Sequence, residues 1–259
     1  MIEITALTKR YGDVMAVNHL SLTVQEGQLL VLLGGSGSGK TTTLKMINRL
    51  LTPTTGSVCI DGQDTSTITP YVLRRNIGYV FQQVGLFPHM TVAENVGVTL
   101  SLLGWNQDRI DSRVDELLEL VELQDSGIKI RYPNELSGGQ QQRVGVARAL
   151  SSGPSILLLD EPFGSLDPLT RRRLQDSLVK IRHELKLTVV FVTHDMVEAL
   201  LLGDQIAVLE HGELVQVGTP HELLTSPATD YVRDLMSTPR QQAKVVDKLL
   251  ATEVFEDKK

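Results

Sequence analysis

A glycine-rich loop between an apolar strand and a helix constrains this chain more than any other feature. The apolar segment Leu29–Leu33 is followed by a run of small residues, Gly34-Gly35-Ser36-Gly37-Ser38-Gly39-Lys40-Thr41-Thr42. The run fits the pattern GxxxxGK followed by Ser or Thr, whose backbone N–H groups close around phosphate oxygens at a helix N-terminus. We therefore predict a nucleotide phosphate site here, with Lys40 on the β- and γ-phosphates and Thr41 on Mg²⁺.

A pair of carboxylates at the end of another apolar strand is the second chemical element. The strand pattern Ile156–Asp160 is followed directly by Glu161. Because ligands of α/β proteins bind at the carboxyl ends of parallel strands, we expect both acids near the phosphate loop. Asp160 is predicted to hold Mg²⁺, directly or through water. Glu161 is predicted to take a proton from an attacking water.

Strand and helix patterns indicate an α/β core with a helical insert. Alternating apolar residues predict β structure near the N-terminus, with Ile2, Ile4 and Ala6 on one face. Residues from about 85 to 154 instead carry apolar side chains at helical spacing, and strand patterns then return. Buried strands that alternate with helices predict a parallel sheet. The predicted units are a domain at 1–240, which contains the insert, and a short charged tail at 241–259.

Composition excludes several other classes of protein. The net charge of −6 argues against electrostatic binding of nucleic acid through a broad basic surface, so we expect no nucleic-acid partner. Cys59 is the only cysteine, which excludes an intrachain disulfide and a Cys-based zinc site. No apolar run approaches the ~18–20 residues of a membrane-spanning helix, so a role at a membrane requires a membrane partner.

Further motifs resemble those of ATP-binding cassette (ABC) ATPases. The most specific is Leu136-Ser137-Gly138-Gly139-Gln140, which is similar to the signature motif of that family. The adenine-stacking aromatic residue, the Q-loop glutamine, the D-loop aspartate and the switch histidine have counterparts at Tyr11, Gln82, Asp167 and His194. The resemblance covers residues 2 to about 235, which is nearly the whole chain.

The resemblance implies a fold, a reaction and a set of roles. The implied fold is a P-loop NTPase (RecA-like) core with an antiparallel β subdomain and an inserted α-helical subdomain. The implied reaction converts ATP and water to ADP and phosphate. Glu161 is implied as the catalytic base, His194 as a γ-phosphate contact, and Gln82 as a sensor of γ-phosphate and Mg²⁺. The implied metal ligands are Thr41, Gln82 and Asp160.

The signature motif points to a dimer. Ser137 precedes the helical run QQQRVGVARAL, so Ser137–Gln140 form a second helix N-terminus suited to γ-phosphate. One ATP does not need two such termini from one compact domain. In the family the two termini come from two subunits packed head to tail. The resemblance therefore implies a homodimer, or a pair with a homologous ATPase, with two composite ATP sites and with Asp167 communicating between them.

Three segments are similar in more detail to ATPases of osmoprotectant importers, which move glycine betaine, carnitine or choline. They are GGSGSGKTTTLKMINRL, IGYVFQQVGLFPHMTVAENV and YPNELSGGQQQRVGVARAL. This similarity implies an ATPase at the cytoplasmic face of the cell membrane, bound to an integral membrane permease and indirectly to a substrate-binding protein. Two alternatives stay open: an importer ATPase for polar amino acids, and a soluble ATP-driven clamp without a transport role. Many betaine-type ATPases continue into regulatory CBS modules, and with an end at Lys259 we expect none here.

The segment Gly85–Met90 follows the Q-loop glutamine and carries the apolar residues Leu86, Phe87 and Met90. In importer ATPases this region faces the groove that receives a helix of the permease. Because a few apolar or aromatic anchors usually carry partner docking, we expect these three side chains to line such a groove. The alternative is that they pack inside the core of the insert.

Overall fold

The computed structural model describes residues 1–237, which form two β-sheets and a set of helices. The strands are β1 (Ile2–Tyr11), β2 (Val14–Val24), β3 (Leu29–Leu33), β4 (Thr55–Ile60), β5 (Gln63–Asp64), β6 (Ile77–Val80), β7 (Ile156–Asp160), β8 (Thr188–Thr193), β9 (Gln205–Glu210) and β10 (Glu213–Gly218). The helices are α1 (Lys40–Ile47), α2 (Pro70–Arg75), α3 (Val92–Leu102), α4 (Gln107–Leu120), α5 (Gly138–Leu150), α6 (Pro168–Leu185), α7 (Met196–Leu202) and α8 (Pro220–Thr225). The predicted tail at 241–259 lies outside the described residues.

The larger sheet has the strand order β10-β9-β3-β8-β7-β6. All neighbours in it are parallel except β10, which is antiparallel to β9. Strands β3, β7 and β8 are buried along their whole lengths. Such continuous burial is typical of a parallel sheet that is covered on both faces. The predicted α/β core is therefore confirmed.

The two faces of the larger sheet pack into two hydrophobic cores. In β3, Leu29, Val31 and Leu33 belong to a core shared with α3, α4, α5, α6 and α7. Leu30 and Leu32 belong to a second core, shared with α1 and the smaller sheet. Alternate side chains of one strand point to opposite faces, so a single five-residue strand serves both cores. The sheet that carries the candidate site is thus fixed from both sides.

The smaller sheet, β2-β1-β4-β5, is antiparallel throughout. The predicted alternation of Ile2, Ile4 and Ala6 is wrong at its last member, because Leu7 is the fully buried residue and Ala6 has a φ of 45°. The register shifts between Ile4 and Leu7, as in a β-bulge. Gly56 permits the close approach of the neighbouring strand, since a β-carbon there would lie 2.3 Å from the carbonyl oxygen of Ala6.

Helices α3, α4 and α5 lie between β6 and β7, in the segment predicted to be a helical insert. Reciprocal capping boxes begin two of them: Thr91 with Glu94 at α3, and Ser137 with Gln140 at α5. Each box satisfies backbone N–H groups that the first helical turn leaves unpaired. The division of the chain into domains stays a prediction. Within residues 1–237, no helix combines the length and the apolar character that crossing a membrane requires.

Candidate functional site

Four neighbouring strands of the larger sheet bring the glycine loop, Gln82, Asp160, Glu161 and His194 to one edge. The glycine loop follows β3, and Gln82 comes shortly after β6. Asp160 is the last residue of β7 and is followed by Glu161, while His194 comes directly after β8. Because β3, β8, β7 and β6 are adjacent and parallel, their carboxyl ends share one edge of the sheet. The topology therefore collects residues that are far apart in the sequence.

Two close backbone approaches shape the glycine loop. A β-carbon at Gly34 would lie 2.2 Å from the carbonyl oxygen of Leu209 in β9. Gly39 caps α1 with a φ of 96°, and a β-carbon there would lie 2.5 Å from the carbonyl oxygen of Ala16 in β2. Backbone atoms thus exclude side chains at both positions, and the loop leads into a helix N-terminus that favours phosphate. Of the other loop residues, Ser38 is buried, Gly35, Ser36 and Gly37 are exposed, and Thr42 is half-buried.

Lys40 holds a buried positive charge inside this loop. Its side chain is almost completely buried, and its Nζ donates hydrogen bonds to the carbonyl oxygens of Gly34 and Gly35, both at 2.8 Å. Burial lowers the pKa of the Lys40 amine, and the negative charges of Glu161 and Asp160 partly oppose that shift. The loop therefore combines backbone donors with an ammonium group, as phosphate binding requires.

Thr41 and Asp160 meet across the edge of the sheet. The Thr41 hydroxyl donates to Oδ1 of Asp160 at 2.6 Å, and the Tyr79 hydroxyl donates to Oδ2 of the same buried carboxylate at 3.3 Å. Burial, together with the Asp160 charge, raises the pKa of Tyr79, so this hydroxyl stays a donor. Mg²⁺ prefers hard oxygen ligands and keeps sites for phosphate and water, so a hydroxyl beside a carboxylate fits it. The side chain of Gln82, the third predicted ligand, donates a hydrogen bond to Glu161.

Glu161 sits in a strained turn between two polar neighbours. Its φ of 44° falls in the left-handed region that residues other than glycine avoid, and its N–H donates to the carbonyl oxygen of Val192 at 3.0 Å. Its Oε2 accepts a hydrogen bond from Nε2 of Gln82 at 3.2 Å and lies 3.1 Å from Nδ1 of His194. A carboxylate held in this way has the geometry to orient a water and accept its proton.

The signature segment lies on a different helix from the glycine loop. Ser137 Oγ accepts a hydrogen bond from the Gln140 N–H at 3.3 Å, and the Ser137 N–H donates to Oε1 of Gln140 at 2.9 Å. Ser137 and Gly138 are exposed, whereas Gly139 is buried against Thr170 of α6. In the part of the chain that the structure describes, no hydrogen bond joins this segment to the glycine loop. One chain therefore presents two separate helix N-termini suited to phosphate.

Asp167 and Tyr11 lie at element ends. Asp167 caps α6 by accepting hydrogen bonds from the N–H groups of Leu169 at 3.1 Å and Thr170 at 3.0 Å. Hydrogen bonds from Thr170 lower the pKa of this carboxyl. Tyr11 ends β1 with 48% of its surface exposed, and Nζ of Lys9 lies 5.1 Å from its ring centroid. An exposed aromatic ring of this kind is suited to stacking on a nucleotide base.

Three contacts near the site were not predicted from the sequence. Tyr79 supports Asp160, and Arg171 and Glu198 contact the loop that carries His194. Two of these residues did carry a signal, because Tyr79 and Glu198 are polar groups in apolar segments, whereas Arg171 lies in the polar run RRR and carried none. Tyr79 interrupts the strand pattern IGYV, and Glu198 interrupts the apolar helix MVEALLL. Buried polar groups need partners, so such interruptions mark contacts to look for.

A groove of about 310 Å³ lies beside the segment that follows Gln82. We call it the insert groove, and its lining includes Tyr79, Phe81, Gly85, Phe87, Leu102 and Arg148. Of the three side chains predicted to line such a groove, Phe87 does so. The prediction is wrong for Leu86, which packs against the core shared with α3, α4, α5, α6 and α7, and for Met90, which lines a separate cavity. Arg148 holds the segment by donating to the carbonyl oxygens of Val84 and Gly85.

Comparison with known proteins agrees with the motifs. The family described as ABC transporter matches residues 17–164. The osmoprotectant import ATP-binding protein OsmV of Salmonella typhimurium is 48% identical over 93% of this chain, and the chain spans 64% of the length of that relative. The glycine betaine uptake system ATP-binding protein YehX of Escherichia coli is 50% identical over 90% of this chain and 75% of its own length.

A solved structure extends the similarity to the fold. The ATP-binding cassette MJ0796, as a dimer in a post-hydrolysis state bound to ADP and Pi, matches with a TM-score of 0.77 and 36% identity. The match covers 85% of this chain and 99% of that chain. Sequence and fold together confirm the predicted resemblance and the P-loop NTPase fold class. The chain belongs to the family of ABC transporter ATP-binding cassettes.

Proposed function

We propose that this chain is the ATP-hydrolysing subunit of a membrane importer for a quaternary-amine osmoprotectant, such as glycine betaine, carnitine or choline. The observation that carries the proposal is the convergence of Lys40, Asp160 and Glu161 at one sheet edge, around a loop shaped for phosphate. The osmoprotectant and glycine betaine transport functions of OsmV and YehX support the class of transported solute.

The residues of this chain divide the proposed reaction between them. The glycine loop and Lys40 bind the β- and γ-phosphates through N–H donors and one ammonium group. Thr41 and Asp160 would hold Mg²⁺, whose positive charge would offset the charge of the phosphates. Glu161 orients the attacking water and accepts its proton. The amide and imidazole groups that contact Glu161 keep its carboxylate in position.

Two cassettes are proposed to close head to tail on two ATP molecules. The signature segment and the glycine loop of one chain are separate, so each bound ATP takes its second helix N-terminus from another subunit. That subunit is a second copy of this chain or a homologous ATPase. The dimeric cassette MJ0796 supports this arrangement. Closure on ATP moves a bound permease between its two access states, and hydrolysis resets it.

Ser137→Asp is expected to abolish ATP-driven dimerisation without unfolding α5. Ser and Asp are comparable N-caps, so the hydrogen bond from the Gln140 N–H survives the change. The new carboxylate repels the γ-phosphate that this helix N-terminus is proposed to bind. Sedimentation velocity with ATP, in a Glu161→Gln background that slows hydrolysis, should show dimers for the parent and monomers for the variant.

Ser137→Asn is the matched control, because Asn is also a good N-cap but is neutral. We expect its dimer to be at least about tenfold tighter than that of Ser137→Asp. Equal dimerisation of the two variants would show that γ-phosphate does not meet this helix N-terminus.

The insert groove is proposed as the docking site for the permease at the cytoplasmic face of the membrane. Phe81 and Phe87 are each about two-fifths exposed, and Leu102 is 80% exposed. A groove with a few exposed aromatic and aliphatic anchors is typical of a docking site for a partner helix. Docking to the permease at this groove would hold the chain at the cytoplasmic face of the membrane as a peripheral subunit.

Leu102→Glu is expected to lower solute uptake at least about tenfold, because a buried charge replaces a docking anchor. The chain should also leave the membrane fraction when cells are lysed. ATP hydrolysis by the purified chain should stay within about twofold of the parent, since Leu102 is an exposed residue at the end of α3. Leu201→Glu, on the exposed face of α7, is the matched control. Normal co-sedimentation of Leu102→Glu with the permease would exclude docking at this groove.

Uptake of labelled glycine betaine tests the function as a whole. The host lacks its other betaine routes and carries either the parent chain or Glu161→Gln. High-affinity uptake that depends on the parent chain supports the proposal. Unchanged uptake removes the osmoprotectant assignment and leaves two candidates. An importer ATPase for polar amino acids would support uptake of labelled amino acids, whereas a soluble clamp would not pellet with membranes.

A further inference from the structure

Arg171 of α6 joins two loops that lie on different elements. Its Nη1 donates to Oδ2 of Asp195 at 3.1 Å, and its Nη2 donates to the carbonyl oxygen of Leu166 at 3.4 Å. Leu166 lies in the D-loop, Ser165-Leu166-Asp167, and Asp195 directly follows His194. The Arg171 N–H also donates to the carbonyl oxygen of Asp167 at 2.9 Å. A single residue therefore contacts both the D-loop and the loop of the switch histidine.

A buried carboxylate holds the histidine loop from its other side. Glu198 is 4% exposed, and its Oε2 accepts a hydrogen bond from the Thr193 hydroxyl at 2.6 Å. Nε of Arg171 is buried without a hydrogen-bond partner and lies 3.9 Å from Oε1 of Glu198. Both neighbours of His194 in the sequence are thus tied, directly or through one carboxylate, to the same guanidinium group.

Asp195 uses its two carboxylate oxygens for two different purposes. Oδ1 caps α7 by accepting hydrogen bonds from the N–H groups of Val197 at 2.8 Å and Glu198 at 3.2 Å. Oδ2 is left for Arg171. The contact with Arg171 is therefore separable from the helix cap, and a substitution can remove the first while keeping the second.

We propose that Arg171 is a positioning residue that couples the D-loop to the switch histidine. The proposal rests on the proposed ATPase function, in which Asp167 communicates across the dimer and His194 lies beside Glu161. The path runs from the D-loop backbone through the guanidinium group to Asp195 and so to the adjacent histidine. Because a planar guanidinium group donates hydrogen bonds in fixed directions, a shift of the D-loop backbone would change the orientation of Asp195 as well as the charge near it.

The first test compares two neighbouring arginines of α6. Arg171→Met removes the guanidinium group and keeps an unbranched side chain, whereas Arg172→Met removes an exposed residue that pairs with Asp176. We expect Arg171→Met to lower kcat for ATP about tenfold and to change KM by less than about twofold, because phosphate binding is untouched. Arg172→Met should match the parent. Arg171→Lys should restore part of kcat, since an ammonium keeps the charge near Asp195 but not the fork.

The second test uses hydrogen exchange, which does not depend on catalysis. Without nucleotide, Arg171→Met should speed amide exchange in peptides covering 163–170 and 193–199 together, by about tenfold. Arg172→Met should leave both peptides unchanged. Faster exchange in only one peptide, or in neither, overturns the coupling. If the parent chain does not hydrolyse ATP, the proposed function fails, while the exchange result still decides whether the two loops are joined.

Asp195→Asn covers the case in which Arg171→Met folds poorly. Asn keeps the cap of α7 and loses the negative charge that faces Arg171. We expect the same direction of change in kcat and in exchange as for Arg171→Met. The double variant should lose less than the two single variants combined, because both remove one contact. Additive losses would show that the two residues act independently and would overturn the proposal.

Discussion

Glu161→Gln is expected to lower the rate of ATP hydrolysis by about 10²–10⁴-fold and to leave ATP binding intact. An amide has the size and shape of the carboxylate but does not accept the proton of an attacking water. The substitution also keeps the turn in which φ is 44° and the neighbouring Gln82. Single-turnover hydrolysis, with protein in excess over ATP, measures the chemical step directly.

The control for this experiment is Glu184→Gln, which makes the same change on an exposed part of α6. Its single-turnover rate should equal that of the parent. Equilibrium binding of ATP to Glu161→Gln is measured alongside, so that a lost rate is not confused with lost binding. Near-normal cleavage by Glu161→Gln, with ATP bound, would exclude Glu161 as the general base.

Lys40→Met is expected to weaken ATP binding by about 10–100-fold, because one charge-assisted hydrogen bond to phosphate is lost. Hydrolysis should fall further, by about 10²–10³-fold, since the ammonium also faces charge that develops during phosphoryl transfer. Lys45→Met, in the last turn of the same helix, is the matched control and should bind ATP normally. Titration with a fluorescent ATP analogue measures the dissociation constant of each variant and so distinguishes Lys40→Met from Lys45→Met.

The same variant should not unfold the protein, and its stability carries a pH signature. Burial lowers the pKa of Lys40 below the ordinary 10.5. At pH values between the pKa of Lys40 in the folded chain and its pKa in the unfolded chain, the unfolded chain binds more protons. The contribution of Lys40 to the free energy of unfolding therefore rises with pH in that range. Lys40→Met lacks this rise. Denaturant unfolding measures the free energy of unfolding of both proteins at neutral pH and near pH 10. The stability of the parent relative to Lys40→Met should therefore increase between these two pH values. A constant difference would contradict the shifted pKa.

The residues at the shared carboxyl edge of the larger sheet were predictable, because each ends an apolar strand or follows one within two positions. Glu161 comes directly after the last residue of β7, and His194 comes directly after β8. Once a parallel sheet is inferred, such residues must meet at the carboxyl edge, whatever their distance in the sequence. Local pattern was therefore enough to predict which side chains lie together.

The remaining contacts depend on strand order and on side-chain packing, which local pattern does not encode. Strand β8 lies between β3 and β7 although it follows both in the sequence. Arg171 reaches Asp195 only because α6 packs with one particular rotation against that region. Leu86 and Phe87 are adjacent and apolar, yet the first packs into the core and the second lines the insert groove. Apolar spacing predicts that a residue is buried but not which surface it contacts.

Because backbone atoms crowd Gly34 and Gly39, two strands that lie far from these residues in the sequence influence nucleotide affinity. The carbonyl oxygens that exclude a β-carbon belong to Leu209 in β9 and Ala16 in β2, and neither strand carries a reacting group. The close contact with these two oxygens restricts the backbone of the loop to a curvature that fits a phosphate. A substitution that shifts either strand would therefore weaken ATP binding without altering any atom that touches ATP. In mutant libraries selected for nucleotide affinity, changes in the cores beneath β2 and β9 should be recovered together with changes in the loop itself.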